Sequence, residues 1–362
     1  MFHAMDLRRL AKLSGPDRVF LSAYVSREDG RRWLGKECSR LRGLLAGAGE
    51  EREHFDENVR LLEAYLRERG LRGTGLCLFV CWALDLVEGC EIPAPERSSL
   101  VLDSSPYLRP LAELQDEYET FAVVAADNSR ARIRLVASAK ATDETRVRGN
   151  IKNHVRVGGW SQQRYERRRD KQVLHYAKEI GRRLLELDKT ERFRRVVLVG
   201  SKEAVTAIRR NLPAGIAKKA VSGKALHLGK GQDWVDREVF RLFFEDERRS
   251  ERDLWARIRD ELLRGGLAAV GPEEVRKAAA SGRVQTMIVS RRLRLPGVRC
   301  RKCEGLAQGT PGKCPACGGG VFEVDFVNEL VELVAAAGGE TDFADPLPGL
   351  RNAGGVAALL RY

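Results

Sequence analysis

The first hundred residues alternate between two hydrophobic patterns. Continuous apolar runs at residues 19–25 and at Gly75–Cys81 predict buried strands. Between them, residues 33–45 and 55–66 carry apolar side chains at intervals of three and four, the spacing of an amphipathic helix. The pattern predicts an N-terminal α/β domain over residues 1–105, and no catalytic constellation is evident in it.

A change of pattern follows at two prolines. Pro106 and Pro110 predict an extended connector, because proline disfavours helix in the residue before it. After the connector, the apolar segments 121–125 and 131–136 flank Asp127-Asn128-Ser129. Turn-forming residues between two apolar segments predict a β-hairpin.

A long amphipathic helix is predicted over residues 162–187, from apolar side chains that recur on one face. It is followed by a buried strand at residues 195–200 and by a helix for which Ser201 is a suitable N-cap. A charged helix over residues 234–263 ends before two glycines. Together with the hairpin, these elements predict a middle domain over residues 106–265.

The remaining residues, 266–362, predict a third α/β domain. Pro272 stands at the first position of a predicted helix that ends at Ala280, where its missing N–H is not needed. A strand at residues 284–289 and a helix at residues 326–337 follow. The fold class predicted for the whole chain is a multidomain α/β protein with three α/β domains.

Positive charge is concentrated in one part of the chain. The 362 residues have a formal net charge of +13, and residues 146–183 alone contain 12 Lys and Arg against 3 Asp and Glu. A local excess of this size attracts a phosphate backbone, so nucleic acid is the first partner to consider.

The hydrophobic runs are too short for a membrane protein. A membrane-spanning helix needs roughly 20 apolar residues, and the longest run, residues 76–84, predicts a buried strand instead. The N-terminus has no signal-type hydrophobic region. We therefore expect a cytoplasmic protein without a membrane partner, and we expect it to be a monomer.

Four of the eight cysteines have the spacing of a metal site. Cys300-x2-Cys303 is followed after ten residues by Cys314-x2-Cys317. Each Cys-x-x-Cys can fold as a tight knuckle, and two knuckles supply four thiolates to one tetrahedral ion. The spacing predicts structural Zn²⁺ in a zinc ribbon over residues 297–322, with an iron–sulfur site as the alternative. Four thiolates leave no open coordination position, so this metal is not expected to activate water.

The other cysteines stand among apolar neighbours, at positions 38, 77, 81 and 90. Cys77 and Cys81 lie four apart on a predicted strand and therefore on the same face. We interpret them as core residues rather than as a metal pair.

Two glycines, Gly158 and Gly159, interrupt the basic segment just before the long helix. In one interpretation they only start the helix, with Ser161 as N-cap and with Trp160 packed against Tyr165. In the other, the glycines let the backbone approach an anion closely, and the helix N-terminus offers it unpaired N–H groups. Such an arrangement can stabilise a phosphate or a developing oxyanion. No Ser/His/Asp or Cys/His order suited to nucleophilic catalysis stands nearby.

Three segments resemble one protein family. The first is Gly158-Gly159-Trp160-Ser161-x2-Arg164-Tyr165-x-Arg167, which is similar to the Gly-Gly-Gln-Ser-x-x-Arg-Phe-x-Arg loop of the archaeo-eukaryotic peptide chain release factors. The second is Gly271-x3-Val275-x2-Ala278-x3-Gly282-x-Val284-x-Thr286, which is similar to their third domain. The third is the ending Gly354-Gly355-Val356-Ala357-Ala358-Leu359-Leu360-Arg361-Tyr362, which is similar to a terminus shared with Pelota. The resemblance covers residues 106–362, and the zinc ribbon stands where several members carry a minidomain.

The resemblance implies a tRNA-shaped protein that enters the ribosomal A site and carries its glycine loop to the peptidyl transferase centre. The family has a glutamine at the position of Trp160, where it helps to place water on the peptidyl-tRNA ester. Tryptophan has no amide for this purpose. Either the backbone N–H of Trp160 suffices, or Gln162 or Gln163 substitutes, or hydrolysis is lost.

Stop-codon recognition is not expected. The first hundred residues do not resemble the family's decoding domain, and we interpret Asn150-Ile151-Lys152-Asn153, beside the glycine loop, as a coincidental match to its Asn-Ile-Lys-Ser motif. The pattern is most similar to the bacterial relatives, which are thought to act in ribosome rescue or hibernation.

Two functions are consistent with these features. One is hydrolysis of peptidyl-tRNA on stalled ribosomes, and the alternative is a non-catalytic hibernation or stall-sensing factor that occupies the A site and the peptidyl transferase centre. The expected partners are rRNA and peptidyl-tRNA, and delivery by a translational GTPase is left open. The candidate catalytic residues are Gly158, Gly159, Trp160, Gln162 and Gln163. The candidate RNA contacts are Arg156, Ser161, Arg164, Arg167, Arg168 and Lys171.

Overall fold

The structure is a computed structural model. It describes the chain except residues 1–4, 17, 29, 72, 128–129, 138–139, 149–159, 192 and 227–230, and it also leaves undescribed the side chains of residues 137, 140–148, 160–170, 222–225 and 232. The chain divides into two units. One is formed by residues 1–117 together with 251–362, and the other by residues 118–250.

The N-terminal part of the first unit is an antiparallel sheet covered by helices. After the short helix α1 (Leu7–Leu10), its strands have the order β3-β2-β1-β4. The bounds are β1 Phe20–Ser26, β2 Gly75–Cys81, β3 Leu86–Ile92 and β4 Ser99–Asp103. Helices α2 (Gly30–Leu44) and α3 (Gly49–Arg69) pack their apolar stripes on one face of the sheet. The predicted strands β1 and β2 and both long helices are confirmed.

The apolar run at residues 76–84 is only partly a strand. The strand ends at Cys81, and a short 3₁₀ turn follows at Trp82–Leu84. Asp85 then has a left-handed backbone, with φ +50°, which reverses the chain into β3.

The predicted extended connector is wrong in its second half, because a helix, α4 (Arg109–Glu117), begins there. Pro110 lies in its first turn, where a missing N–H leaves no hydrogen bond unmade. The side chain of Asn328 stabilises the start of α4 by accepting two hydrogen bonds. The backbone N–H groups of Leu108 and Arg109 both donate to Asn328 Oδ1, each at 2.9 Å.

The second unit is a three-layer α/β/α structure. Its sheet has the order β7-β6-β5-β8-β9, with β5 parallel to β8 and β8 parallel to β9, while β5, β6 and β7 pair antiparallel. The bounds are β5 Phe121–Ala126, β6 Arg130–Ala137, β7 Lys140–Arg148, β8 Arg195–Gly200 and β9 Ala220–Ala225. The predicted hairpin is β5–β6, and it is confirmed.

Helices cover both faces of this sheet. On one face lie α5 (Trp160–Glu191), α6 (Lys202–Arg210) and α7 (Ala214–Ala217). On the other lies the N-terminal part of α8 (Gln232–Leu263), whose residues from 251 onward belong to the first unit. Ser201 caps α6 as predicted, because its side chain accepts a hydrogen bond from Ala204 N at 3.3 Å.

The C-terminal part of the first unit contains two further sheets, with strand orders β10-β16-β11-β15 and β13-β12-β14. The strand bounds are β10 Ala268–Val270, β11 Val284–Ser290, β12 Pro296–Cys300, β13 Leu306–Gln308, β14 Val321–Asp325, β15 Glu340–Ala344 and β16 Val356–Leu360. The helices are α9 Pro272–Ala280, α10 Phe326–Ala336 and α11 Pro348–Asn352. The predicted α9, β11 and α10 are confirmed. Among the described residues, no helix combines the length and apolar character that a bilayer crossing requires.

Candidate functional site

Helix α5 carries most of the predicted RNA contacts. It begins at Trp160, two residues before the predicted start, so its first turns contain part of the predicted loop. The candidates in these turns are Trp160, Ser161, Gln162, Gln163, Arg164, Arg167 and Arg168, whose side chains are not described. Three candidates lie outside the described residues, namely Arg156, Gly158 and Gly159. The catalytic and RNA-binding roles of these residues stay predictions.

The body of α5 is fixed to the sheet of its unit. Tyr176, Ala177, Ile180 and Leu184 are buried among the apolar side chains of β5, β6 and β8, which confirms the predicted apolar face. Gly181 allows close packing on the neighbouring connection, since a Cβ there would lie 3.3 Å from the carbonyl oxygen of Asn211. The helix is therefore seated along its described length, and this seating determines where its N-terminal end lies within the unit.

On the exposed face of α5, some charged side chains are paired with each other. Near the C-terminal end, Arg182 donates to Glu179 at 2.7 Å and to Glu186 at 2.5 Å, and Arg183 contacts the same two carboxylates. The hydrogen bond from Arg182 lowers the pKa of Glu179 below its usual range.

Two lysines nearer the N-terminal end have no such ion pairs with described residues. Lys171 and Lys178 are exposed, and neither has a carboxylate partner among the residues that the structure describes. Lys171 is one of the predicted RNA contacts, and its exposure is compatible with that role. Lys189, near the C-terminal end, is likewise exposed without a carboxylate partner among the described residues, so uncompensated positive charge is spread along the described part of α5.

The predicted metal cysteines come together at one point. The ligand atoms of Cys300, Cys303, Cys314 and Cys317 all lie within 4.8 Å of one another. Cys300 and Cys317 have their sulfur atoms 3.5 Å apart, and those of Cys303 and Cys314 are 3.6 Å apart. Four sulfur atoms at these separations can share one ion.

The backbone around the first knuckle favours thiolate. The N–H groups of Cys303 and Lys302 point to the sulfur of Cys300, at 3.5 and 3.3 Å. These hydrogen bonds lower the pKa of the Cys300 thiol to about 6. In the second knuckle, Gly318 has φ +70° and donates its N–H to the carbonyl oxygen of Cys314 at 2.9 Å. The donor set of four thiols therefore fits a soft or borderline metal ion.

A buried ion pair attaches this knuckle to the rest of its unit. Arg299, the residue before Cys300, contacts the carboxylate of Glu329 on α10, and Glu329 is 0% exposed. Burial raises the pKa of Glu329 to about 7, although the positive charge of Arg299 opposes this shift. One oxygen of the carboxylate, Oε1, has no hydrogen-bond partner in the part of the chain that the structure describes.

Arg109 is a buried cation that the sequence patterns did not single out. Its guanidinium donates to Glu113 Oε1 at 2.9 Å, to the carbonyl oxygen of Leu293 at 2.8 Å and to Asp325 Oδ2 at 3.3 Å. It therefore joins α4 to the segments on both sides of the ribbon sheet. Arginines are common in this chain, so only the three-dimensional contacts distinguish this one.

The chain is similar in sequence to release factors and to Pelota. Peptide chain release factor subunit 1 of Methanocaldococcus jannaschii is 27% identical over 319 residues, which cover 75% of this chain and 73% of that protein. The protein pelota homolog of Pyrococcus furiosus is 27% identical over 209 residues, which cover 56% of this chain and 52% of that one. The chain is therefore similar to the archaeo-eukaryotic release factors and to Pelota.

Residues 106–248 match the model of bacterial archaeo-eukaryotic release factor family 10. The resemblance inferred from the glycine segment and the C-terminal segments is thereby confirmed. Among solved structures, the Archaeoglobus fulgidus Pelota aligns over 80% of this chain and 79% of its own, at 16% identity and a TM-score of 0.34.

Proposed function

We propose that this protein is a translation factor that binds stalled ribosomes and releases the nascent peptide by hydrolysing peptidyl-tRNA. The observation that carries the proposal is a Gly-Gly-Trp-Ser-Gln segment at the N-terminal end of α5, in a chain that is similar to the release factors. Its relatives include proteins named as peptide chain release factors.

The charge distribution of α5 supports this role. Residues 146–183 contain 12 basic and 3 acidic side chains, and the described ion pairs neutralise this excess only near the C-terminal end of the helix. Lys171 and Lys178, within that range, are exposed and have no carboxylate partner among the described residues. rRNA and the acceptor end of a tRNA supply phosphates that such charges can contact.

The proposed chemistry uses the backbone and a water molecule. Water attacks the ester carbonyl that links the peptide to the tRNA ribose, the ester C–O bond breaks, and the ribose hydroxyl takes up a proton. Backbone N–H groups at Gly159 and at the start of α5 would stabilise the oxyanion. The side-chain amide of Gln162 or Gln163, or the backbone N–H of Trp160, would place the water.

In this proposal the four cysteines hold structural zinc. They fit Zn²⁺ through four thiolate donors without an open position, so the ion would stabilise the first unit and take no part in hydrolysis. The buried Arg299–Glu329 pair connects that site to α10.

A peptide-release assay tests the proposal. Purified ribosomes stalled on a truncated message, with radiolabelled peptidyl-tRNA, are mixed with the protein, and the released peptide is counted. We expect release by the wild-type protein and loss of release in Gly159→Ala, with ribosome binding unchanged. The variant Arg182→Ala, which alters an ion-paired residue at the far end of α5, serves as the matched control and should release normally. Ribosome-bound wild-type protein that releases no peptide would rule out the hydrolytic function.

Trp160 favours a second function, that of a non-catalytic occupant of the peptidyl transferase centre. An indole can stack on an unpaired base, and stacking is worth roughly 1–3 kcal/mol per base. The variant Trp160→Gln separates the two functions in the same assay. A gain in release indicates a hydrolase slowed by tryptophan, whereas weaker ribosome binding without any release indicates a stacking anchor.

A further inference from the structure

Two cysteines outside the metal cluster face each other in the N-terminal sheet. Cys77 on β2 and Cys90 on β3 are directly opposed partners in the antiparallel pairing of the two strands. Directly opposed residues project their side chains to the same face of a sheet. The two thiols are therefore neighbours, although 12 residues separate them along the chain.

The backbone geometry of this pair suits a disulfide. Directly opposed Cα atoms in an antiparallel ladder are about 4.5 or 5.5 Å apart, and disulfides join Cα atoms about 4.4–6.8 Å apart. Either kind of ladder position satisfies the requirement, so rotation of the two side chains suffices to bring the sulfur atoms together.

The remaining non-cluster cysteines lack this geometry. Cys81 lies on the same strand as Cys77, and four residues of strand span about 13 Å, which is too far for a disulfide. Its own cross-strand partner is Leu86. Cys38 belongs to the apolar cluster on the other face of the sheet, together with Leu78.

The environments of the two thiols differ in a way that assigns them different roles. Cys77 is 0% exposed, and burial raises its pKa well above the usual range. Cys90 is half-buried on the edge strand, with its sulfur 4.0 Å from the sulfur of Met5. Cys90 is therefore the more accessible of the two thiols. A hydrogen bond from the Cys77 thiol also lowers the pKa of Cys90, which favours its thiolate as the nucleophile.

We propose that Cys77 and Cys90 are an oxidation site at which a peroxide converts the two opposed thiols into a cross-strand disulfide. The Cys90 thiolate attacks one oxygen of hydrogen peroxide, the O–O bond breaks, and water leaves after proton uptake, which gives a sulfenic acid. The sulfur of Cys77 then attacks the sulfur of Cys90, the S–O bond breaks, and a second water leaves. Two electrons pass from the two thiols to one peroxide, and β3 becomes covalently joined to β2.

Peptide mapping of the full-length, zinc-loaded protein tests this site. The protein is treated with hydrogen peroxide, its remaining thiols are alkylated, and it is digested with trypsin and with a protease that cleaves after glutamate. Cleavage after Glu88 separates Cys90 from both Cys77 and Cys81. Mass spectrometry should then show the two peptides joined as the major form, and reduction with dithiothreitol should separate them.

Two variants test whether Cys77 is the cysteine that becomes linked to Cys90. Cys81→Ser is the matched control, because Cys81 lies on the same strand without an opposed thiol, and it should leave the linked form unchanged. Cys77→Ser should abolish the linked form and leave a sulfenic acid on Cys90 that dimedone traps. The proposal is overturned if peroxide leaves Cys90 as free thiol, oxidises it to sulfinic acid without a linked form, or links it to a cluster cysteine. The wild-type and Cys81→Ser results decide the matter even if Cys77→Ser does not fold.

Discussion

Neutralising Lys171 and Lys178, two exposed lysines of α5, should weaken the salt dependence of ribosome binding by a calculable amount. Lys171 and Lys178 have no carboxylate partner among the described residues, so each is able to contact a phosphate directly. Each phosphate contact contributes about 0.7–0.9 to the slope of log K against log salt concentration. The double variant Lys171→Ala/Lys178→Ala should therefore have a slope smaller by about 1.4–1.8.

This difference in slope is large in a titration. Between 50 and 200 mM salt, a slope smaller by 1.4–1.8 means that the affinity of the double variant falls about 7- to 12-fold less than that of the wild-type protein. The assay is binding of fluorescently labelled protein to purified ribosomes over a series of salt concentrations. Alanine is a good helix former at exposed positions, so the fold should be unaffected.

The matched control uses the paired arginines of the same helix. Arg182 and Arg183 already contact Glu179 and Glu186, so removing them should change the slope much less. Equal slopes for the wild-type protein and the lysine variant would refute the reasoning. It would also be refuted if both double variants lost the same slope, because general charge rather than uncompensated charge would then determine binding.

Three further predictions concern metal, pH and backbone geometry. Elemental analysis should find one zinc ion per chain, and a strong chelator should lower the melting temperature of the protein. A protein that is purified without metal and is equally stable with chelator would contradict the metal site. Glu329 has a folded-state pKa raised to about 7 from the usual 4.5, so its contribution to stability is present at low pH and is lost as the pH rises through 7. This residue should lower the wild-type free energy of unfolding by up to about 3 kcal/mol between pH 5 and pH 8. The variant Glu329→Gln, which keeps an acceptor for Arg299, should remove most of that decline. An identical pH profile of the variant and the wild-type protein would contradict this assignment. Gly200 has φ +133°, and a Cβ there would lie 1.8 Å from the carbonyl oxygen of Ala126. The variant Gly200→Ala should therefore lower the free energy of unfolding, measured with denaturant, by at least about 3 kcal/mol. A loss below about 1 kcal/mol would show that the strand pair adjusts easily.

The sequence predicts best those features that depend on neighbours along the chain. Continuous apolar runs identify β1, β5 and β8, and helical spacing identifies α5 and α10. The metal cluster is also local, because each knuckle is four residues long and its spacing alone indicates its geometry.

Features that depend on pairing between distant segments escape sequence analysis. Strand β3 has the mixed sequence LVEGCEI and is half-buried, so it has no clear apolar signal. Arg299 and Glu329 stand 30 residues apart, and many arginines and glutamates in this chain are equivalent by sequence. The opposition of Cys77 and Cys90 likewise requires the register of β2 and β3, whereas the sequence suggests only the pair Cys77 and Cys81.

The glycine segment is only partly predictable from the sequence. Its residue types and its position before α5 follow from the sequence, and the start of α5 at Trp160 agrees with the prediction to within two residues. The catalytic outcome depends on how Trp160 and the neighbouring amides face a bound peptidyl-tRNA, and this geometry requires the ribosome.

A cryo-EM map of the protein bound to a stalled ribosome tests the central claim most directly. We predict that α5 points its N-terminal end into the peptidyl transferase centre, with Gly158 and Gly159 beside the tRNA ester and with Lys171 within reach of rRNA phosphate. A map in which the protein binds elsewhere, or in which that end of α5 faces solvent, would contradict the account.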